Sequence, residues 1–120
     1  MAGEIVHIEF PCEDADRGAA FWHGLFGWSF QDSGMPDLDY RMGQAAGAAG
    51  AAVFPSENRS GHPNFYFATG DIEASIATVR ELGGTADDRA PVPGHGWFAS
   101  CSDSEGNAFH LWQEDQSAGT

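Results

Sequence analysis

Lysine is absent from this 120-residue chain, and its five arginines face eighteen acidic residues, for a net charge near −13. Phosphate binding needs clusters of Lys and Arg, so this balance argues against nucleic acid or an anionic membrane as a partner. Two readings of the charge remain: a solvated acidic surface, or a field that draws in a cationic small molecule and that salt screens beyond roughly 10 Å at 0.1 M. Long apolar runs are also missing, none approaching the roughly 20 residues that span a bilayer. Cysteine is scarce. Cys12 and Cys101 lie far apart, match no metal or redox spacing, and read as reduced thiols. The opening Met1-Ala2-Gly3-Glu4 lacks the basic segment and apolar stretch of a secretory signal. The expectation is a cytoplasmic protein. No Ser/His/Asp order, nucleophile elbow or phosphate-binding glycine loop occurs.

What is present is the material of one globular domain. The chain is 42% apolar and 12% aromatic, and a chain of this size buries about two-thirds of its unfolded surface. Ile5-Val6-His7-Ile8-Glu9-Phe10 reads as a strand closed by Pro11. Asp14 or Asp16 then caps a helix to about Phe26, with Gly27 as its left-handed stop. Asn64-Phe65-Tyr66-Phe67 is a second aromatic strand, followed by an Asp71-capped helix carrying Ile72, Ile76, Val79 and Leu82 at helical spacing. One shift relates the two halves. Asp14 to Asp71, Leu25 to Leu82 and Gly27 to Gly84 are each 57 residues apart, which reads as a single duplication. Three strands complete each half, at about 28–32, 38–44 and 50–54 and at about 85–88, 96–102 and 108–113. Asp103-Ser104-Glu105-Gly106-Asn107 turns the last hairpin. The fold class is therefore α+β, two paired βαβββ modules forming a cupped mixed sheet with helices outside. Module one covers about 4–54, the linker 55–63, module two 64–114 and a C-terminal tail 115–120. The Gly/Ala tract from 43 to 52 reads either as a flexible loop or as a strand kept small for close backbone approach.

The pieces His7-Ile8-Glu9-Phe10, Ala20-Phe21-Trp22, Leu25-Phe26-Gly27-Trp28, Asp71-Ile72-Glu73-Ala74 and Glu81-Leu82-Gly83-Gly84 together resemble the vicinal oxygen chelate superfamily. The terminal run from Asp103 through Gly106-Asn107-Ala108-Phe109-His110-Leu111-Trp112 resembles its closing hairpin, with Ser104 where proline is usual. That superfamily includes glyoxalases, extradiol dioxygenases, epoxide-opening thiol transferases and bleomycin-binding resistance proteins. The resemblance implies paired modules, a ligand pocket where they meet, and often a homodimer. It does not choose among activities, because fold is not function.

Alternate residues of a strand share a face, so His7 goes with Glu9, Asn64 with Tyr66, and His110 with Trp112. Adding 57 to His7 gives Asn64, and subtracting it from His110 gives Val53. In metal-dependent relatives four such positions supply His, Glu or Gln to a divalent ion, which needs several N/O donors and an open place for substrate. Here His7 and His110 match ligand positions, Asn64 is a poor ligand, and Val53 is none. Glu9 beside His7 offers a rescue, a two-histidine, one-carboxylate triad suited to nonhaem iron. Against it, residues two apart on a strand sit about 7 Å apart at Cα. Each histidine also has a plainer reading, since a strand histidine is more often a hydrogen-bonded pocket or core residue than a ligand. Glu9 equally reads as a pocket carboxylate satisfied by a neighbour, and Tyr66, Trp97 and Trp112 as core aromatics. His95 reads as a rim residue, and His23 and His62 as solvent-facing.

Two functions follow. The first is a small-molecule-binding protein of the glyoxalase/bleomycin resistance type without a complete metal site. Glu9, Asn64, Tyr66, Trp97, His110 and Trp112 would then line the pocket for an aromatic or cationic ligand. The second is a metal-dependent lyase/isomerase or dioxygenase, with Zn, Fe, Mn or Ni held by His7 and His110 and Glu9 as base or third ligand. A third, a degenerate member kept for dimerisation through the small-residue tract, has no positive signal. The missing donors favour the first.

Overall fold

Both helices of this computed structural model begin on an aspartate whose carboxylate accepts a free first-turn N–H. Residues 3–44, 50–57 and 62–120 are described, so the middle of the Gly/Ala tract and part of the expected linker lie outside the described residues. The chain forms two compact units: Val6–Asn64, and Phe65–Thr120 together with the N-terminal residues through Ile5.

In the Val6–Asn64 unit the elements are β1 (Ile5–Cys12), α1 (Ala15–Phe26), β2 (Gln31–Asp32), β3 (Arg41–Gln44) and β4 (Gly50–Pro55). Strand order is β2-β3-β4-β1, with β1 and β4 parallel and the other pairs antiparallel. Asp14 accepts from Arg17 N at 3.2 Å, and Gly27, at φ 77°, sends its N–H back to His23 O. A side chain there would be strained, so glycine ends the helix where the spacing placed the stop. α1 packs on the face of the sheet carrying Phe10, Cys12 and Val53. Phe10 meets Trp22 at 4.6 Å between centroids, Trp22 stacks on Trp28 at 5.1 Å, and Gly18 lies against Cys12 and the fully buried Val53.

The Phe65–Thr120 unit holds the rest of β5 (Asn64–Ala68), α2 (Ile72–Glu81), β6 (Thr85–Ala86), β7 (Ala90–Val92), β8 (Gly96–Ser102) and β9 (Ala108–Glu114). The order β5-β9-β8-β6, with β7 also on β8, repeats the first scheme, again with one parallel pair. Asp71 caps Ala74 N, and Gln113 Oε1 accepts from Ile72 N at 2.8 Å. Ile72 and Ile76 then sink into Ala99, Cys101 and Leu111. Residues 115–120 pack rather than trail: Ala118 is wholly buried and its carbonyl accepts from Gly94 N.

Several expected strands are shorter than the sequence reading. The strand at 28–32 shrinks to Gln31–Asp32 because Trp28 turns into the α1 aromatic stack. That at 38–44 starts at Arg41 because Tyr40 N bonds to Leu38 O in a tight turn. The strand at 85–88 stops at Ala86, and β7 (Ala90–Val92) is an additional short strand between it and β8. The constant shift also drifts. The left-handed glycine after α2 is Gly83, not Gly84. In the parallel pairs, Glu9 opposes Ala52, 43 positions on, whereas Tyr66 opposes His110, 44 on. The counterpart of His110 is thus Ala52, and Val53 faces the helix instead.

The core around α2 sets the stability of its unit. Ile72→Ala should cost about 3 kcal/mol, read as a fall in the urea midpoint at unchanged slope. Phe21→Ala, on a side chain 60% exposed on α1, should cost less than about 1 kcal/mol.

Candidate functional site

The face of the Val6–Asn64 sheet opposite α1 gathers polar side chains that are far apart in sequence. On β1, strand alternation puts His7 and Glu9 there. On β4 the residues opposite them, Gly50 and Ala52, are small. A Cβ at Gly50 would sit 3.0 Å from His7 Nδ1, so glycine leaves the imidazole room to lie across the strand pair. From the turn into β3 comes Tyr40, 7% exposed, its ring 5.5 Å from Phe54 and 6.3 Å from His7 at an interplanar 24°.

The Tyr40 hydroxyl joins the cluster. It donates to Glu9 Oε2 at 2.6 Å, and His7 Nε2 lies 2.7 Å from the same oxygen. With the phenol proton committed to Glu9, the phenol oxygen accepts from His7 Nε2–H, which assigns the tautomer at that nitrogen. Asn64 Nδ2 donates to the other carboxylate oxygen, Oε1, at 3.2 Å. Both Glu9 oxygens are thereby satisfied by neutral donors. Burial pushes the His7 imidazole below its ordinary 6.5, with the Glu9 charge pulling weakly the other way. His7 is then neutral at pH 7 and leaves the carboxylate charge uncompensated. The four described arginines pair elsewhere, Arg17 with Glu13, Arg41 with Asp16 and Asp39, Arg80 with Asp88, and Arg89 with Glu73.

In the Phe65–Thr120 unit, β5 and β9 place Tyr66 directly opposite His110, and the rings stack at 4.5 Å and 16°. His110 Nδ1 lies 3.2 Å from Ser100 Oγ, its partner on β8. Trp112 shares this face, its indole lying where a Cβ on Gly96 would clash. Trp97 does not share it. Alternation along β8 groups Trp97 with Ala99 and Cys101, so it packs against the α2 core, donates Nε1–H to Asp115 Oδ2 at 3.0 Å, and carries the Arg89 guanidinium 3.9 Å over its ring. Trp97, expected with Tyr66 and Trp112 as a pocket-lining ring, instead lies on the α2 side of β8, because Phe98 and Ser100 are the β8 residues that pair with Trp112 and His110. His23, His62 and His95 are exposed.

A divalent metal, the group the resemblance implies, fits this donor set poorly. Among the described residues, no three His, Cys, Asp or Glu side chains converge as an ion would require. His7 and Glu9 do turn toward one point, but the Tyr40 oxygen lies within a hydrogen bond of both. Tyr40 belongs to no motif that the sequence displays. The only available signal was its even spacing from Met42 and Gln44, which is informative once the β3–β4 register is known.

Comparison with known proteins agrees with the fold. The family model for a glyoxalase-like domain matches residues 6–112. A glyoxylase-like domain-containing protein of Didymella fabae is 32% identical over 93 residues, covering 70% of this chain and 71% of that one. Among solved structures, the methylmalonyl-CoA epimerase of Mycobacterium tuberculosis superposes with a TM-score of 0.73 at 14% identity, over 94% of this chain and 88% of that one. A glyoxalase/bleomycin resistance protein/dioxygenase superfamily member from Vibrio splendidus gives 0.70 at 16% identity, over 95% and 100%. At such identities the structural likeness speaks to fold alone.

The His7 environment is directly measurable. An NMR titration should place the His7 ring below 6.5, and Glu9→Gln should lower it further by removing the one charge that favours the imidazolium. Because the folded value is depressed, protonation opposes folding. The His7 contribution to stability is present above pH 6.5 and is lost as pH falls through the lower folded value. A His7 value above 6.5 would refute the assignment.

Proposed function

The chain belongs to the glyoxalase-like domain family of the vicinal oxygen chelate superfamily, and from that premise we propose that it binds an organic cation with a flat apolar part, using Glu9 as the recognition group. The observation that carries this reading is the state of that carboxylate. It is half-buried, and among the described residues it is hydrogen-bonded only to Tyr40 and Asn64 and has no cationic partner. A charge in that position is partly desolvated and held by two neutral donors rather than an opposite charge, and a ligand cation about 4 Å away gains about 4 kcal/mol at an effective dielectric of 20. The half-buried ring of Phe54, packed on Tyr40, offers apolar and cation–π surface on the same side. The net charge of −13 adds a long-range pull on cations. Carboxylate oxygens hold at least two further lone-pair directions beyond those used here, so a ligand N–H or N–CH₃ group can approach with Tyr40 and Asn64 still bonded.

The second reading is metal-dependent lyase/isomerase or dioxygenase chemistry with Glu9 as base. It draws on the family and on His7 and Glu9 turning to one point. It requires the Tyr40 hydroxyl to leave that point, which is why it ranks behind ligand binding.

Calorimetric titration with phenyltrimethylammonium in excess chelator separates the two. Binding should weaken as salt rises from 0.05 to 0.5 M, and Glu9→Gln should reduce affinity at least about tenfold, the loss of roughly 1.4 kcal/mol. Equal affinity in Glu9→Gln would remove the first reading. Stoichiometric metal in protein purified without added metal, lost in His7→Ala, would establish the second.

A further inference from the structure

We propose that Tyr40 is a specificity-determining residue whose hydroxyl keeps divalent metal ions from being shared by His7 and Glu9. The inference rests on the reading of Glu9 as the group that meets the ligand and adds what that group is prevented from doing. A divalent ion such as zinc sits about 2.0–2.2 Å from its nitrogen and oxygen ligands. An ion taking both His7 Nε2 and Glu9 Oε2 must therefore lie between those two atoms. The Tyr40 oxygen is already there, 2.7 Å from the nitrogen and 2.6 Å from the carboxylate oxygen. A shared ion would have to break both hydrogen bonds and move the phenol.

The phenol is held against such movement. Its residue is 7% exposed, its ring is bracketed by Phe54 and His7, and its backbone N–H is tied to Leu38 O. The β1 strand adds a second constraint. His7 and Glu9 stand about 7 Å apart at Cα, and both side chains reach the same hydroxyl. Tyr40 thus holds the two donors in the orientation that a metal would otherwise impose, through directional bonds a metal cannot replace without losing the phenol. An organic ammonium meets no such obstacle, because it bonds to Glu9 from outside and does not use His7 Nε2. One hydroxyl thereby sorts ligands by the way they take the carboxylate.

The test compares wild type with Tyr40→Phe, which keeps the ring and removes the oxygen. Zn(II) is titrated by calorimetry, and Co(II) binding is followed through the His7 ring-proton resonances. Tyr40→Phe should bind both ions at least tenfold more tightly than wild type, with His7 resonances shifted by Co(II). The gain should vanish in Tyr40→Phe/His7→Ala. Mere loosening of the unit would lower metal affinity and would not move the His7 resonances. Tyr40→Leu gives the same comparison if the phenylalanine variant folds poorly. Wild type binding Zn(II) as tightly as Tyr40→Phe, or a gain that survives His7→Ala, would overturn the proposal. Phenyltrimethylammonium is titrated in parallel: its failure to bind wild type would count against the cation-binding reading, while the metal comparison would still decide the role of Tyr40.

Discussion

One hydroxyl organises the candidate site. Tyr40 takes the proton-bearing nitrogen of His7 on one side and gives its own proton to Glu9 on the other. Everything around it serves that placement. Alternation along β1 puts both partners on the face away from α1. Gly50 and Ala52 on β4 leave space beneath the imidazole and carboxylate, and the turn at Leu38–Tyr40 delivers the ring from outside the strand. Buried polar groups are tolerated when each has a partner, and no buried side-chain polar atom among the described residues lacks one.

The two units share a strand–helix–strand plan and diverge in what the plan carries. In Val6–Asn64 the face opposite the helix holds a hydrogen-bonded chain of His, Tyr, Glu and Asn. In Phe65–Thr120 the equivalent face holds stacked Tyr66 and His110, Ser100, and Trp112 lying over Gly96. The difference of one residue in the parallel register sets Ala52 where His110 has its counterpart. The position that register pairs with Glu9 thus carries a methyl group, which can coordinate nothing, at 52 rather than 53. Duplication preserved the packing rules and released the side chains that perform chemistry.

The arginines explain why the acidic excess matters locally. Each described arginine ties an exposed carboxylate to another element, as Arg41 does for Asp16 on α1, or covers an aromatic ring, as Arg89 does for Trp97. Glu9 is passed over, and His7 beside it is driven toward its neutral form by burial. The surface charges are screened and worth little singly. The half-buried carboxylate of Glu9 is screened less than these.

Local rules read from the chain determined the helices and most strands. An aspartate cap, a helical run of apolar residues and a glycine stop are properties of a dozen consecutive residues, and α1 and α2 appear within a residue of where those signals put them. The family and the βαβββ plan were legible for the same reason, as were His7 and Glu9 on one face. Pairing register was decided only in three dimensions, because hydrogen bonds between strands distant in sequence are not written in either strand alone. Register put Val53 under the helix, turned Trp97 into the α2 core, and set His110 against Tyr66. It also brought a tyrosine thirty-three residues from His7 to the point where imidazole and carboxylate meet.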